Sequence, residues 1–290
     1  MTARTIGVFD SGFGGLTVLR ELLPLIPGAH YLYLGDTARL PYGSKSQATI
    51  ARYAVESARF LQSRGAGHLV IACNTASALA LDDIRSAVSV PVTGVIEPGA
   101  HSAWAALAQP GAQPPPAARP QDSIPSNSRQ VLVLATQATV SSHAYHRACS
   151  RLGLRAVEKA CPLLVPLVEE GWIDHPVTRQ VIRIYLTEAI GEGSPDAVLL
   201  GCTHYPLIKH AIQAGLRALG HSIPVIDSAH STAFDVARAM GVCLLGASCK
   251  PAPSVTFACY ATDSVEKFAR LGSQFLGQPI PHVELLDLGG

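Results

Sequence analysis

Leu69-Val70-Ile71-Ala72-Cys73-Asn74-Thr75-Ala76-Ser77-Ala78 is the stretch that decides the fold. Its first four residues form an unbroken apolar run, which suits a strand buried on both faces, as in a parallel sheet. A small polar cluster and an Ala/Leu-rich helical pattern follow, so the polar residues read as a strand-to-helix turn with N-caps. Cys73 then stands at the carboxyl end of a strand and beside a helix start, where positive partial charge favours a thiolate. The pattern recurs late in the chain. Ala197-Val198-Leu199-Leu200-Gly201 runs into Cys202-Thr203-His204-Tyr205, and another helical pattern follows. Two thiols in matched settings are the central feature of the sequence.

Working outward, Ile6-Gly7-Val8-Phe9 predicts a strand that ends in Asp10-Ser11-Gly12-Phe13-Gly14-Gly15 and opens a helix marked by Leu16, Leu19, Leu23 and Ile26. The glycines permit close backbone approach, and the helix start can hold an anion. Thr17 at the sixth position breaks the dinucleotide fingerprint, and no P-loop lysine follows. Asp10 reads equally as a cap of this helix. Tyr31 to Leu34 is a second strand, leading to Gly35-Asp36-Thr37 and the loop Leu40-Pro41-Tyr42-Gly43-Ser44. Ser44 with Gln47 resembles a capping box, and Ile50, Tyr53, Ala54, Ala58 and Leu61 predict a helical face ending before Gly65. Tyr42 is either a packing ring or a wall of a cleft.

Val90 to Val95 predicts the next strand, and Val131 to Leu134 opens a second strand–turn–helix series through Ala135-Thr136-Gln137-Ala138-Thr139. Val177, Val181, Ile184, Tyr185 and Ala189 predict an amphipathic helix ahead of the Cys202 strand. Later strands end at Asp227 and near Cys259, each with a helix after it. Between Gln109 and Arg129, Pro114-Pro115-Pro116 and a polar run predict an extended surface segment outside the core. Strands alternating with helices throughout predict an α/β fold of two doubly wound, largely parallel-sheet domains. The expected division is 1–98 plus 226–290 for one domain, carrying Cys73, and 99–225 for the other, carrying Cys202. The Cys73 and Cys202 segments read as equivalent positions in two pseudo-symmetric halves, with the active site between them at the carboxyl ends of the strands.

The bulk numbers narrow the function. The 290 residues are 48% hydrophobic, which supplies a sizeable core and argues against disorder. A formal net charge of +1, from 22 basic and 21 acidic residues without a basic stripe, gives nucleic-acid binding no support. The apolar runs are too short and too interrupted to span a bilayer, and the first strand starts too early to leave room for a secretory signal. A cytoplasmic protein is the expectation. Seven scattered cysteines without a CxxC pair fit neither a disulfide scaffold nor a zinc site. Cys149, Cys161, Cys243, Cys249 and Cys259 read as small buried hydrophobes. A single catalytic cysteine usually implies acyl transfer, but two opposed thiols imply inversion at carbon. One removes a proton and the other returns one to the opposite face, with no cofactor and no metal.

Four motifs, in order, resemble those of glutamate racemases: Gly7 to Thr17, Gly35 to Gly43, Ala72 to Ser77, and Gly201 to Pro206. Ala138-Thr139-Val140, Ala160-Cys161-Pro162 and Ile226-Asp227-Ser228 support the resemblance, which runs from about Thr5 to about Ala237. It implies that Cys73 and Cys202 are the proton-transferring pair, Cys73 acting on D-glutamate and Cys202 on L-glutamate. Asp10 and His204 match the groups that assist the thiols. Asp10, Ser11, Pro41, Tyr42, Gly43, Asn74, Thr75, Thr139, Thr203 and His204 match substrate-binding positions, and Glu170 matches a position near the cleft. The resemblance further implies a homodimer making D-glutamate for peptidoglycan. Activation by a peptidoglycan precursor is not expected, because the chain starts just before the first strand. Ala135-Thr136-Gln137 stands where the family commonly has Gly-Thr, and segment 109–129 looks like an insertion. Rival readings are an aspartate racemase, which differs in cleft size, and a hydrolase pairing Cys73 with His204. A third is non-enzymatic binding of DNA gyrase, known for some members and unsupported by any feature of this sequence.

Overall fold

A computed structural model describes residues 4–109, 111–115, 128–191, 194–242, 256–280 and 282–289. The elements run β1 (Thr5–Asp10), α1 (Leu16–Leu25), β2 (His30–Gly35), α2 (Gln47–Ser63), β3 (His68–Ile71), α3 (Asn74–Leu79), α4 (Leu81–Ala87) and β4 (Val92–Gly94). Next come α5 (Ile96–Leu107), β5 (Gln130–Ala135), α6 (Gln137–Ser141), α7 (Ala144–Arg151), β6 (Arg155–Ala160), α8 (Leu164–Glu169), α9 (Pro176–Ile190) and β7 (Ala197–Gly201). The chain continues with α10 (Lys209–Ala218), β8 (Val225–Asp227), α11 (Ala229–Ala239), β9 (Thr256–Ala261), α12 (Val265–Leu276) and β10 (Val283–Leu285).

The chain forms two compact units, Met1–Val95 with Ala229–Gly290, and Ile96–Ser228. The first holds a six-stranded sheet in the order β10-β9-β2-β1-β3-β4, the second a four-stranded sheet in the order β6-β5-β7-β8. Every strand pair in both sheets is parallel. The expected α/β fold with parallel sheets is therefore observed. Interior strands read as apolar runs because helices cover both faces: Leu69, Val70 and Ile71 of β3, and Val198, Leu199 and Leu200 of β7, are buried. No helix among the described residues is long and apolar enough to cross a membrane.

Most of the helical faces read from the sequence are buried as expected, including Ile50, Ala54, Ala58 and Leu61 of α2. Gly65, at φ +94°, ends that helix in a backbone region where side chains are strained. Two local expectations are corrected. Ser46, not Ser44, caps α2, accepting from Thr49 N–H, because Tyr42–Ser44 form a separate turn of 3-10 helix. On α9 the buried face is Thr178, Ile182, Leu186 and Ala189, while Val177 and Ile184 are 41% and 48% exposed. Thr178 belongs inside because its hydroxyl donates to the Trp172 carbonyl at 2.5 Å, a partner that hydrophobicity counting does not register. The insertion expected at 109–129 and Cys243 and Cys249 lie wholly or largely outside the described residues.

Candidate active site

In the first unit the parallel sheet delivers three turns. The β1 turn starts at Asp10, fully buried, whose Oδ2 accepts from Gly12 N–H at 2.9 Å. Gly15 is required here: a Cβ would stand 2.5 Å from Asp10 Cβ and 2.9 Å from Ala72 Cβ. Tyr33 closes the turn from below, its hydroxyl donating to the Gly12 carbonyl at 3.0 Å. The β3 turn carries Cys73, 5% exposed, as the N-cap of α3, with Asn74 and Thr75 buried behind it. The Cys73 thiol lies 3.4 Å from Ser11 Oγ and accepts from Ala76 N–H at 3.5 Å.

Burial among apolar neighbours such as Ile50, Ile71 and Ala76, reinforced by the Asp10 charge, pushes the Cys73 thiol up to about 12. The Ser11 and Ala76 hydrogen bonds pull it down by less. The expectation that the helix start favours a thiolate is thus reversed. Desolvation outweighs the few N–H groups of a six-residue helix.

The third turn, after β2, carries Pro41, Tyr42 and Gly43. Pro41 is exposed and Gly43 half-buried, whereas the Tyr42 ring is buried near Phe9 and Tyr53. Its hydroxyl donates to Asp36 Oδ2 at 2.5 Å. Burial first, then the Asp36 carboxylate, holds this phenol far above its ordinary range, so it stays protonated.

In the second unit, Thr136 caps α6 and places its hydroxyl 3.0 Å from that of fully buried Thr139. The departure at Ala135–Gln137 leaves this cap intact. After β7, Cys202, Thr203 and His204 are 6%, 7% and 3% exposed. Gly201 admits no side chain, since a Cβ would meet the Tyr145 ring at 2.9 Å and Ala135 Cβ at 3.0 Å. His204 Nδ1 lies 3.9 Å from Cys202 Sγ, and its Nε2 lies 3.1 Å from Glu169 Oε1. Burial alone lowers the His204 pKa, but the hydrogen bonds and negative charge of Cys202 and Glu169 outweigh it and raise it to about 10. Glu169, at the end of α8, escapes the sequence reading, which points instead to its neighbour Glu170. Glu170 is exposed. The deciding signal is the helix start at Leu164, which turns Glu169 toward His204.

Unit one therefore brings together Asp10, Ser11 and Cys73, and unit two Cys202, His204 and Glu169. Cys149, Cys161 and Cys259 are buried free thiols, each pushed up to about 12 by burial, as small core residues should be. No cluster of metal-binding side chains occurs among the described residues.

Residues 6–234 match the family model described as Asp/Glu/hydantoin racemase. A glutamate racemase of Koribacter versatilis is 51% identical over 306 residues, covering 98% of both chains. The crystal structure of a Francisella tularensis glutamate racemase in complex with D-glutamate superposes with a TM-score of 0.80 at 31% identity, covering 99% of both chains. An aspartate racemase from Picrophilus torridus, 19% identical with a TM-score of 0.54, covers 82% of this chain and 95% of its own, and shares the fold.

Proposed function

This chain belongs to the Asp/Glu/hydantoin racemase family, and from that premise we propose that it interconverts L- and D-glutamate by proton transfer between two cysteines. Cys73 takes the α-proton of D-glutamate, and Cys202 delivers a proton to the opposite face of the same carbon. In the reverse direction the two exchange roles. Each direction consumes one thiolate and one thiol and regenerates one of each, so no cofactor enters the balance. Asp10 beside Cys73 and His204 beside Cys202 adjust the two protonation states. Ser11, Tyr42, Asn74, Thr75, Thr139 and Thr203 offer hydroxyl and amide donors for the substrate carboxylates, with Pro41 and Gly43 shaping the turn.

One observation carries the reading: two buried thiols each follow an interior strand of a parallel sheet, one next to a carboxylate and the other next to an imidazole. The identity to glutamate racemases supports glutamate over aspartate as substrate. Supply of D-glutamate to peptidoglycan, a homodimer and a cytoplasmic location belong to the same proposal.

Circular dichroism of L- and D-glutamate, followed with wild type and with Cys73→Ser and Cys202→Ser, tests it. Wild type should bring either enantiomer to a racemate, and each variant should lose on the order of 10² to 10⁴ in rate. Racemisation surviving Cys202→Ser, or α-proton exchange in deuterated water faster with aspartate than with glutamate, would overturn the reading.

A further inference from the structure

Asp36 is a fully buried carboxylate to which the mechanism above gives no part. Four contacts converge on it. Tyr42 donates to Oδ2 at 2.5 Å, Arg39 Nε lies 2.9 and 2.8 Å from its two oxygens, and Thr262 Oγ1 donates to Oδ1 at 2.9 Å. The Asp36 N–H itself donates to the Asp10 carbonyl at 3.0 Å, which ties this turn to the one carrying Asp10 and Ser11.

Thr262 follows the last residue of β9, a strand far along the chain from this loop. Its hydroxyl also accepts from Ala38 N–H at 2.9 Å. Beside it, Thr37 Oγ1 donates to the Asp263 carbonyl at 2.6 Å and accepts from Asp263 N–H at 2.9 Å. Residues 36–38 are thereby laced to residues 262–263. A buried charge whose lone pairs are filled makes a rigid hub, because any displacement leaves desolvated groups unpaired. The Tyr42 ring, near Phe9 and Tyr53, is turned by its hydroxyl toward that hub.

We propose that Asp36, anchored by Thr262, positions Tyr42 and the Pro41–Gly43 turn for substrate, and so governs how tightly glutamate is held rather than how fast its proton moves. This rests on the reading that the 41–43 turn binds glutamate. Thr262 then brings the end of β9 into a site whose recognisable motifs all lie earlier in the chain.

The test is steady-state racemisation in both directions with Thr262→Val, Thr262→Ser, Asp36→Asn and Tyr42→Phe, with melting temperatures measured alongside. Thr262→Val should raise KM for both enantiomers on the order of tenfold, the weight of one hydrogen bond to a charged group, and hold kcat within about threefold. Thr262→Ser, which restores the hydroxyl, should return KM to within about twofold of wild type. Adding Tyr42→Phe to Asp36→Asn should raise KM by less than the product of the single effects, since both act through one contact. A lowered melting temperature with unchanged KM, or a fall in kcat alone, would overturn the positioning role. Should Asp36→Asn not fold, the Thr262 pair decides. Absence of glutamate turnover by wild type would instead overturn the proposed function, and this inference with it.

Discussion

His204 Nε2 lies 3.1 Å from Glu169 Oε1, with the other ring nitrogen 3.9 Å from Cys202 Sγ. The imidazole thus lies between a carboxylate and a thiol, and Glu169 orients the ring. Glu169→Gln should lower kcat about tenfold, a modest share of what positioned acid–base groups supply. Glu170→Gln, one residue on and exposed, should stay within about twofold. Initial rates from both enantiomers check this.

The same contact sets a pH dependence of stability. His204 is raised from 6.5 to about 10 in the folded protein. A raised folded pKa contributes stability that is fully present below pH 6.5 and is lost as pH rises through about 10. Melting temperature should therefore fall between those limits in wild type, and fall less in His204→Gln. Thermal scans across the range measure the difference.

Asp10 acts on Cys73 in the opposite sense. Burial raises the thiol to about 12, and the Asp10 charge adds to the rise. Asp10→Asn should make the thiol more acidic, so alkylation of Cys73 by iodoacetamide at pH 8 should quicken on the order of tenfold. Racemisation should nevertheless slow, because the carboxylate proposed to assist the thiol is gone. A quicker alkylation together with quicker turnover would contradict that assignment of Asp10.

Packing beneath the site is equally exacting. A Cβ on Gly35 would stand 2.4 Å from the Gly12 carbonyl oxygen and 2.6 Å from the Phe268 ring. A backbone oxygen held by Tyr33 cannot yield as a flexible side chain would. Gly35→Ala should cost about 3 kcal/mol, read as a lowered urea midpoint at unchanged slope, and should slow turnover by shifting the Asp10 turn.

The positions of both thiols were legible because an apolar run followed at once by a small polar cluster has few other readings in an α/β chain. The parallel sheets were legible for the same reason. What the sequence could not convey depends on where helices begin and on distant pairing. The choice of Glu169 over Glu170 turns on α8 starting at Leu164, and the buried face of α9 turns on a hydroxyl bonded to Trp172. The lowered acidity of Cys73 follows from neighbours such as Ile50 that come from another element. Asp36 lay inside a recognised motif, yet its partner Thr262 is 226 residues away, beyond any local pattern.

The first unit draws its sheet from both ends of the chain, β9 lying beside β2. During translation a nascent polypeptide can finish Ile96–Ser228 while this sheet still lacks two strands. At ordinary ribosomal speeds the gap between β4 and β9 lasts on the order of ten seconds or more. The Asp36 carboxylate, and the Tyr42 hydroxyl bonded to it, therefore wait for their Thr262 partner until β9 has been made.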